Sequence, residues 1–188
     1  MALFGRKNTD ESDETPDETK AVFQARPELA TKWFVHARTM ADASNTETAL
    51  VYFASGIKFD PANDTVLNEM LDVAKRHARD EGKRISSKHA KPVAGTEPID
   101  KMAMALLVWM TDLVNVSLGI KALSAMISAD QHDTARFFAP HVLGLASRSK
   151  KPTKQQFVTI KDICRTIEAW DSALTAGLHW WPPSPCTT

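Results

Sequence analysis

The segment from Trp33 to Pro61 has the spacing that a pair of packed antiparallel helices requires. Seven of its residues lie 4, 3, 9, 4, 3 and 5 positions apart: Trp33, Ala37, Met40, Ala49, Phe53, Gly56 and Pro61. Two helices that pack closely need bulky side chains to fill the space between them and small ones where the backbones approach. We therefore expect a helix pair closed by the proline, with four of these residues buried: Trp33, Ala37, Ala49 and Phe53.

The pattern recurs in two later segments. Leu67 and Leu71 lie 34 residues after Trp33 and Ala37, and Phe157 and Cys164 repeat the spacing of Trp33 and Met40. Apolar residues at helical spacing also fill much of the chain between these segments. The sequence thus predicts an all-α fold of about four antiparallel helix pairs in residues 27–181.

Composition marks three segments that interrupt or flank this domain. Residues 8–19 hold six acids and no base, so we expect residues 1–26 to form an acidic, disordered leader. Glycines and prolines among lysines and serines predict an irregular insertion at about 79–97. Residues 182–188 form an irregular tail after a Trp-Trp pair.

The spacing from Trp33 to Pro61 is similar to that of the tetratricopeptide repeat family, whose repeat of about 34 residues reads W-x2-L-G-x2-Y, then A-x3-F, then P. Here His36, Ala37 and Met40 take the Leu, Gly and Tyr places. The likeness covers about residues 27–185, and the chain resembles short bacterial members with no assigned activity. It implies that the pairs stack into a right-handed superhelix with a concave groove.

In that family the first helix of each pair lines the groove. The resemblance places nine residues there: Thr31, Phe34, Arg38, Asn68, Asp72, Lys75, Gln155, Asp162 and Arg165. Phe34, Arg38 and Asn68 do not reproduce the Lys and Asn set with which some members clamp a terminal carboxylate. The groove is expected to hold a peptide or protein with an apolar anchor near an acid. In an alternative, Phe34 packs on leader residues Val22 and Phe23.

The sequence contains no motif that predicts catalysis or a cofactor. HExxH, GxxxxGK[ST] and GxSxG are absent, and the six histidines are scattered. We therefore expect no metal, no cofactor and no enzymatic activity. Cys164 falls where a core residue is expected, so we interpret it as packed rather than reactive.

Charge and hydropathy limit the partners. Lys plus Arg equals Asp plus Glu at 23 each, so we expect no nucleic-acid binding. Two basic clusters, at 75–91 and 148–154, are expected to be solvated or to contact an acidic partner. The most apolar window, residues 102–111, is too short for a bilayer core of about 30 Å. The start lacks a signal-peptide pattern, so we expect a cytoplasmic protein without a membrane span.

Two functions follow from these features. The first is a non-catalytic scaffold that binds a protein or peptide in the concave groove. The alternative is a self-associating structural subunit, in which the acidic leader or the Trp-rich tail docks on a neighbouring copy.

Overall fold

The computed structural model describes residues 23–80 and 82–178, which contain eight helices and no strand. In chain order these are α1 (Pro27–Asp42), α2 (Thr46–Ile57), α3 (Asp64–Arg79), α4 (Pro98–Met110), α5 (Val116–Ser128), α6 (His132–Arg148), α7 (Lys154–Thr166) and α8 (Trp170–Leu178). The predicted all-α class is confirmed. The leader up to residue 22 and the tail at 182–188 lie outside the described residues.

One backbone turn recurs at the end of every odd-numbered helix. The N–H three residues beyond the helix donates to the carbonyl five residues back: Asn45 to Met40, Gly82 to His77, Gln131 to Met126 and Ala169 to Cys164. This is the long bond of the Schellman motif, which satisfies carbonyls at a helix end. Three of these turns hold a non-glycine residue at positive φ: Ser44 at 59°, Asp130 at 57° and Glu168 at 58°.

A second junction recurs where α2 leads into α3 and α4 leads into α5. Asn63 Nδ2 donates to Asp60 Oδ2 at 2.8 Å, and Asn115 Nδ2 donates to Asp112 Oδ2 at 3.2 Å. Each asparagine also caps the next helix, because its Oδ1 accepts the backbone N–H three residues on. The chain thus uses the same two connections repeatedly, as a helical repeat does.

The helices pack mainly on their neighbours in sequence, with one exception. α1 packs on α2, α4 on α5, α5 on α6 and α7 on α8, whereas α3 and α4 contact each other only weakly. Residues 82–97, described without a helix, separate them, and α4 packs on α2 as well. Val93 of this insertion is fully buried. Lys58, at the end of α2, stabilises the contact between α2 and α4, because its Nζ lies 2.5 Å from Oδ1 of Asp100 on α4.

Phe34, rather than Trp33, is the buried aromatic residue that α1 contributes to its contact with α2. Phe34 is only 5% exposed, whereas Trp33 is partly exposed and lies with its ring centroid 5.9 Å from that of Tyr52. The predicted burial of Ala37, Ala49 and Phe53 is confirmed, and that of Trp33 is wrong. The buried faces of α1 and α3 align at a separation of 33 residues rather than 34: Phe34 with Leu67, Ala37 with Met70, and Ala41 with Ala74.

Candidate binding cleft

An open cleft of about 460 Å³ lies between α3, the α4–α5 connection and α6. Small-molecule pockets commonly enclose roughly 300–1,000 Å³, so the cleft is large enough for several side chains of a partner. Six apolar residues line it: Leu71, Ala78, Trp109, Leu113, Val114 and Leu145. Four basic residues complete the lining: Lys75, Arg79, His141 and Arg148. Among the described residues, none that lines the cleft is acidic.

Helical spacing brings these side chains together on two walls. On α3, Leu71, Lys75 and Arg79 follow one another at intervals of four, which places them on one face. On α6, Leu145 and Arg148 follow His141 by four and seven residues and likewise share a face. The two basic clusters predicted from the sequence therefore meet at this cleft, since Lys75 and Arg79 belong to the first and Arg148 to the second.

Trp109 closes the cleft from the core side. Its ring is fully buried and meets Phe138 edge to face, with centroids 5.5 Å apart and planes at 78°. Gly119 on α5 lies so near that a Cβ there would be 3.2 Å from the indole Nε1. The absence of a side chain at Gly119 thus lets α5 approach the ring. The Trp109 Nε1 is buried and has no hydrogen-bond partner in the part of the chain that the structure describes.

The charges of the cleft are only partly neutralised. Lys75 Nζ lies 2.8 Å from Asp72 Oδ1, but both side chains are more than half exposed, and such a pair contributes little. Within residues 23–80 and 82–178, neither Arg79 nor Arg148 forms an ion pair. Val114 at the mouth is 79% exposed. The cleft therefore presents apolar surface beside two unneutralised guanidinium groups.

Of the nine residues predicted to line a groove, Lys75 alone lines this cleft. The expectation that Phe34 faces the surface is wrong, because its ring packs against Gly56. Val22 of the alternative packing lies outside the described residues. Arg38 is held by Glu69 through bonds of 2.8 Å and 3.1 Å, which ties α1 to α3.

The remaining six predicted groove residues are exposed: Thr31, Asn68, Asp72, Gln155, Asp162 and Arg165. Thr31 and Asn68 donate to carbonyls of their own helices, and Gln155 bonds to Thr159 on the same helix. The side chains at 155, 162 and 165 on α7 do not line the cleft. These six positions stay predictions as partner contacts.

Most of the cleft could not be predicted from the sequence, because its walls come from segments far apart in the chain. The apolar pair Leu113-Val114 follows a buried helix without any motif, and Leu145 is one of several periodic apolar residues of α6. The one signal present was the pair of basic clusters: the first holds only Asp80 and Glu81 as acids, and the second holds none.

Other chemical groups are confined to the core or dispersed. Cys164 is fully buried, as predicted, and desolvation raises the pKa of its thiol to about 11. Among the described residues, no three His, Cys, Asp or Glu side chains lie together as a metal site would need. None of the helices described here is both long enough and apolar enough to cross a membrane.

Comparison with protein-family models, curated proteins and solved structures finds no match for this chain.

Proposed function

We propose that this protein is a non-catalytic helical-repeat scaffold that binds a segment of a partner protein in the cleft between α3 and α6. The observation that carries the proposal is the concave apolar lining, with the exposed Val114 at its mouth, beside arginines that form no ion pair among the described residues. Contiguous apolar surface that stays open to solvent commonly marks an interaction site. The described residues of the lining offer no carboxylate, hydroxyl or thiol, which favours binding over covalent catalysis.

A tetratricopeptide-like superhelix forms part of this proposal. The recurring turn at the ends of α1, α3, α5 and α7 supports four equivalent helix pairs. The weak contact between α3 and α4, and the separation of 33 residues between buried faces, depart from the family's pattern. The cleft shares Lys75 with the groove that the resemblance implied, so we take the cleft as the main binding surface.

A peptide library displayed on phage tests the proposal. We expect selection on the immobilised protein to enrich peptides whose binding is lost in Val114→Asp. Val35→Asp is the matched control, because Val35 is 52% exposed on α1 and lies outside the cleft. Enriched peptides that bind both variants equally, or no enrichment at all, would contradict the proposal.

Self-association is a second candidate function, favoured by the outer face of α8. Trp170, Leu174 and Leu178 lie four residues apart on one face and are 58%, 66% and 72% exposed. Exposed apolar side chains that share one helix face commonly mark an interaction site. Light scattering at several concentrations decides: a dimer that Leu174→Lys dissociates supports this function, and a monomer throughout contradicts it.

A further inference from the structure

Building on the proposed function, we propose that the bound segment is an acidic amphipathic helix. Its apolar stripe enters between α3 and α6, and carboxylates on both sides of the stripe pair with Arg79 on one wall and Arg148 on the other. The inference names the chemistry of the partner, whereas the proposed function names only a binding surface.

The placement of charge carries this inference. Lys75 and Arg79 lie one turn apart on α3, whereas Arg148 is in the last turn of α6. These two helices both line the cleft but are not among the helix pairs that pack extensively on each other in the described ranges. The positive groups therefore stand on separate walls with apolar surface between them. A ligand with one charged end can reach one wall, whereas a helix with acids on both flanks reaches both.

Guanidinium groups suit carboxylates at such a site. Arginine donates two parallel hydrogen bonds to one carboxylate, and charge-assisted bonds of this kind are stronger than neutral ones. Neither Arg79 nor Arg148 has an ion-pair partner in the described chain, so none of the ion pairs described there must break on binding. The apolar side chains of Leu113 and Leu145 would exclude water once covered, which strengthens the attraction.

The lining disfavours nucleic acid and a flat membrane surface. Binding to single-stranded nucleic acid relies on exposed aromatic rings on which bases stack. Apart from His141, the aromatic side chain in the described lining is Trp109, and it is fully buried. The cations stand on the walls of a concave site rather than on one flat face. A helix whose apolar face enters the cleft fits this shape, as in other helix-in-groove complexes.

Fluorescence anisotropy with designed peptides tests the inference. The probe is a fluorescein-labelled 16-residue helical peptide with leucines at positions i, i+3, i+4 and i+7 and glutamates on both flanks. A matched peptide replaces each Glu by Gln. We expect the Glu peptide to bind wild type at least about tenfold more tightly at low salt, because each charged pair adds binding energy. The double change R79E and R148E should remove that preference.

The matched control is the double change K32E and K121E. Both residues are exposed, make no ion pair in the described chain and lie outside the cleft. We expect this variant to bind like wild type, with unchanged helical circular dichroism in all variants. Equal binding of both peptides, lost on Val114→Asp, would overturn the acidic inference and leave the proposed function standing.

Two further outcomes would contradict the proposed function as well as the acidic-helix inference. If the Glu peptide binds Val114→Asp as tightly as wild type, the cleft is not the site and both proposals fail. If vesicles of phosphatidylserine and phosphatidylcholine bind wild type and not R79E with R148E, while neither peptide binds, an anionic membrane surface replaces the peptide as ligand.

Discussion

The ring of Phe34 lies directly against the backbone of Gly56, so closely that a Cβ at position 56 would be 2.3 Å from the ring Cε1. α1 and α2 therefore cross where an aromatic ring on one helix occupies the volume that a side chain on the other would fill. This contact decides which face of α1 is buried.

Gly56→Ala should destabilise the protein by about 1–3 kcal/mol, because the added methyl group forces Phe34 from its position. The loss should occur even though alanine favours helix by about 1 kcal/mol over glycine. Urea unfolding followed by circular dichroism measures it. Gly177→Ala is the control, since a Cβ there meets no atom of the described residues within 4 Å outside its own helix backbone, and it should be neutral or stabilising. A stabilised Gly56→Ala variant would disprove the close contact.

Phe34→Ala should lower the free energy of unfolding by roughly 3–5 kcal/mol, the usual cost of truncating a buried aromatic residue. Trp33→Ala should cost distinctly less, because Trp33 keeps part of its surface in water. Denaturant titration of the two variants compares neighbouring aromatic residues directly. If Trp33→Ala costs more than Phe34→Ala, Trp33 is the core residue, as the 34-residue spacing of the sequence predicts.

Glu168→Gly should stabilise the protein by up to about 1 kcal/mol, because φ of 58° is strained for a residue with a Cβ and relaxed for glycine. Thermal unfolding of the variant measures this gain. Glu168→Ala removes the same carboxylate but keeps the Cβ, so it should show no comparable gain. If both changes stabilise the protein equally, the gain comes from removing the carboxylate charge rather than from relieving backbone strain.

Cys164 should react slowly with maleimide at pH 7 in the native protein and rapidly in urea, measured in a chain that carries Cys186→Ser. Burial shields the thiol, and its pKa of about 11 keeps it protonated. In the unfolded chain the thiol has its ordinary pKa of 9.0 and loses its proton at lower pH than in the folded protein. The contribution of Cys164 to the free energy of unfolding therefore falls as pH rises from 9 toward 11. Rapid native labelling would contradict the packing.

Asp100→Asn should destabilise the protein by about 1–3 kcal/mol, because it leaves the mostly buried Lys58 ammonium without its carboxylate. The double change with Lys58→Met should recover part of that loss, since no unpaired charge then remains. Thermal unfolding of the single and double variants gives the coupling. Additive effects would show that the pair contributes no mutual stabilisation.

Periodicity and composition predicted the all-α class, because helix formation depends largely on local sequence. They failed on the register of α1, since Trp33 and Phe34 are adjacent aromatic residues and either could face the core. Gly56, more than twenty residues later, settles the choice. The cleft was beyond prediction for a similar reason. Arg79 and Arg148 border one cleft because of the way α3 and α6 lie around the insertion. No local spacing in the sequence encodes that arrangement.

Two groups of helices border the cleft, and their connection has a mechanical consequence. α3 is tied to α1 by Arg38 and Glu69, whereas the other walls belong to α4, the α4–α5 connection and α6. The groups meet through the α2–α4 contact and through Thr134 Oγ1, which donates to the Pro61 carbonyl at 2.8 Å. Any change in the width of the cleft would move the two groups of helices against each other at these contacts. A segment bound in the proposed site would contact both groups and so oppose that movement.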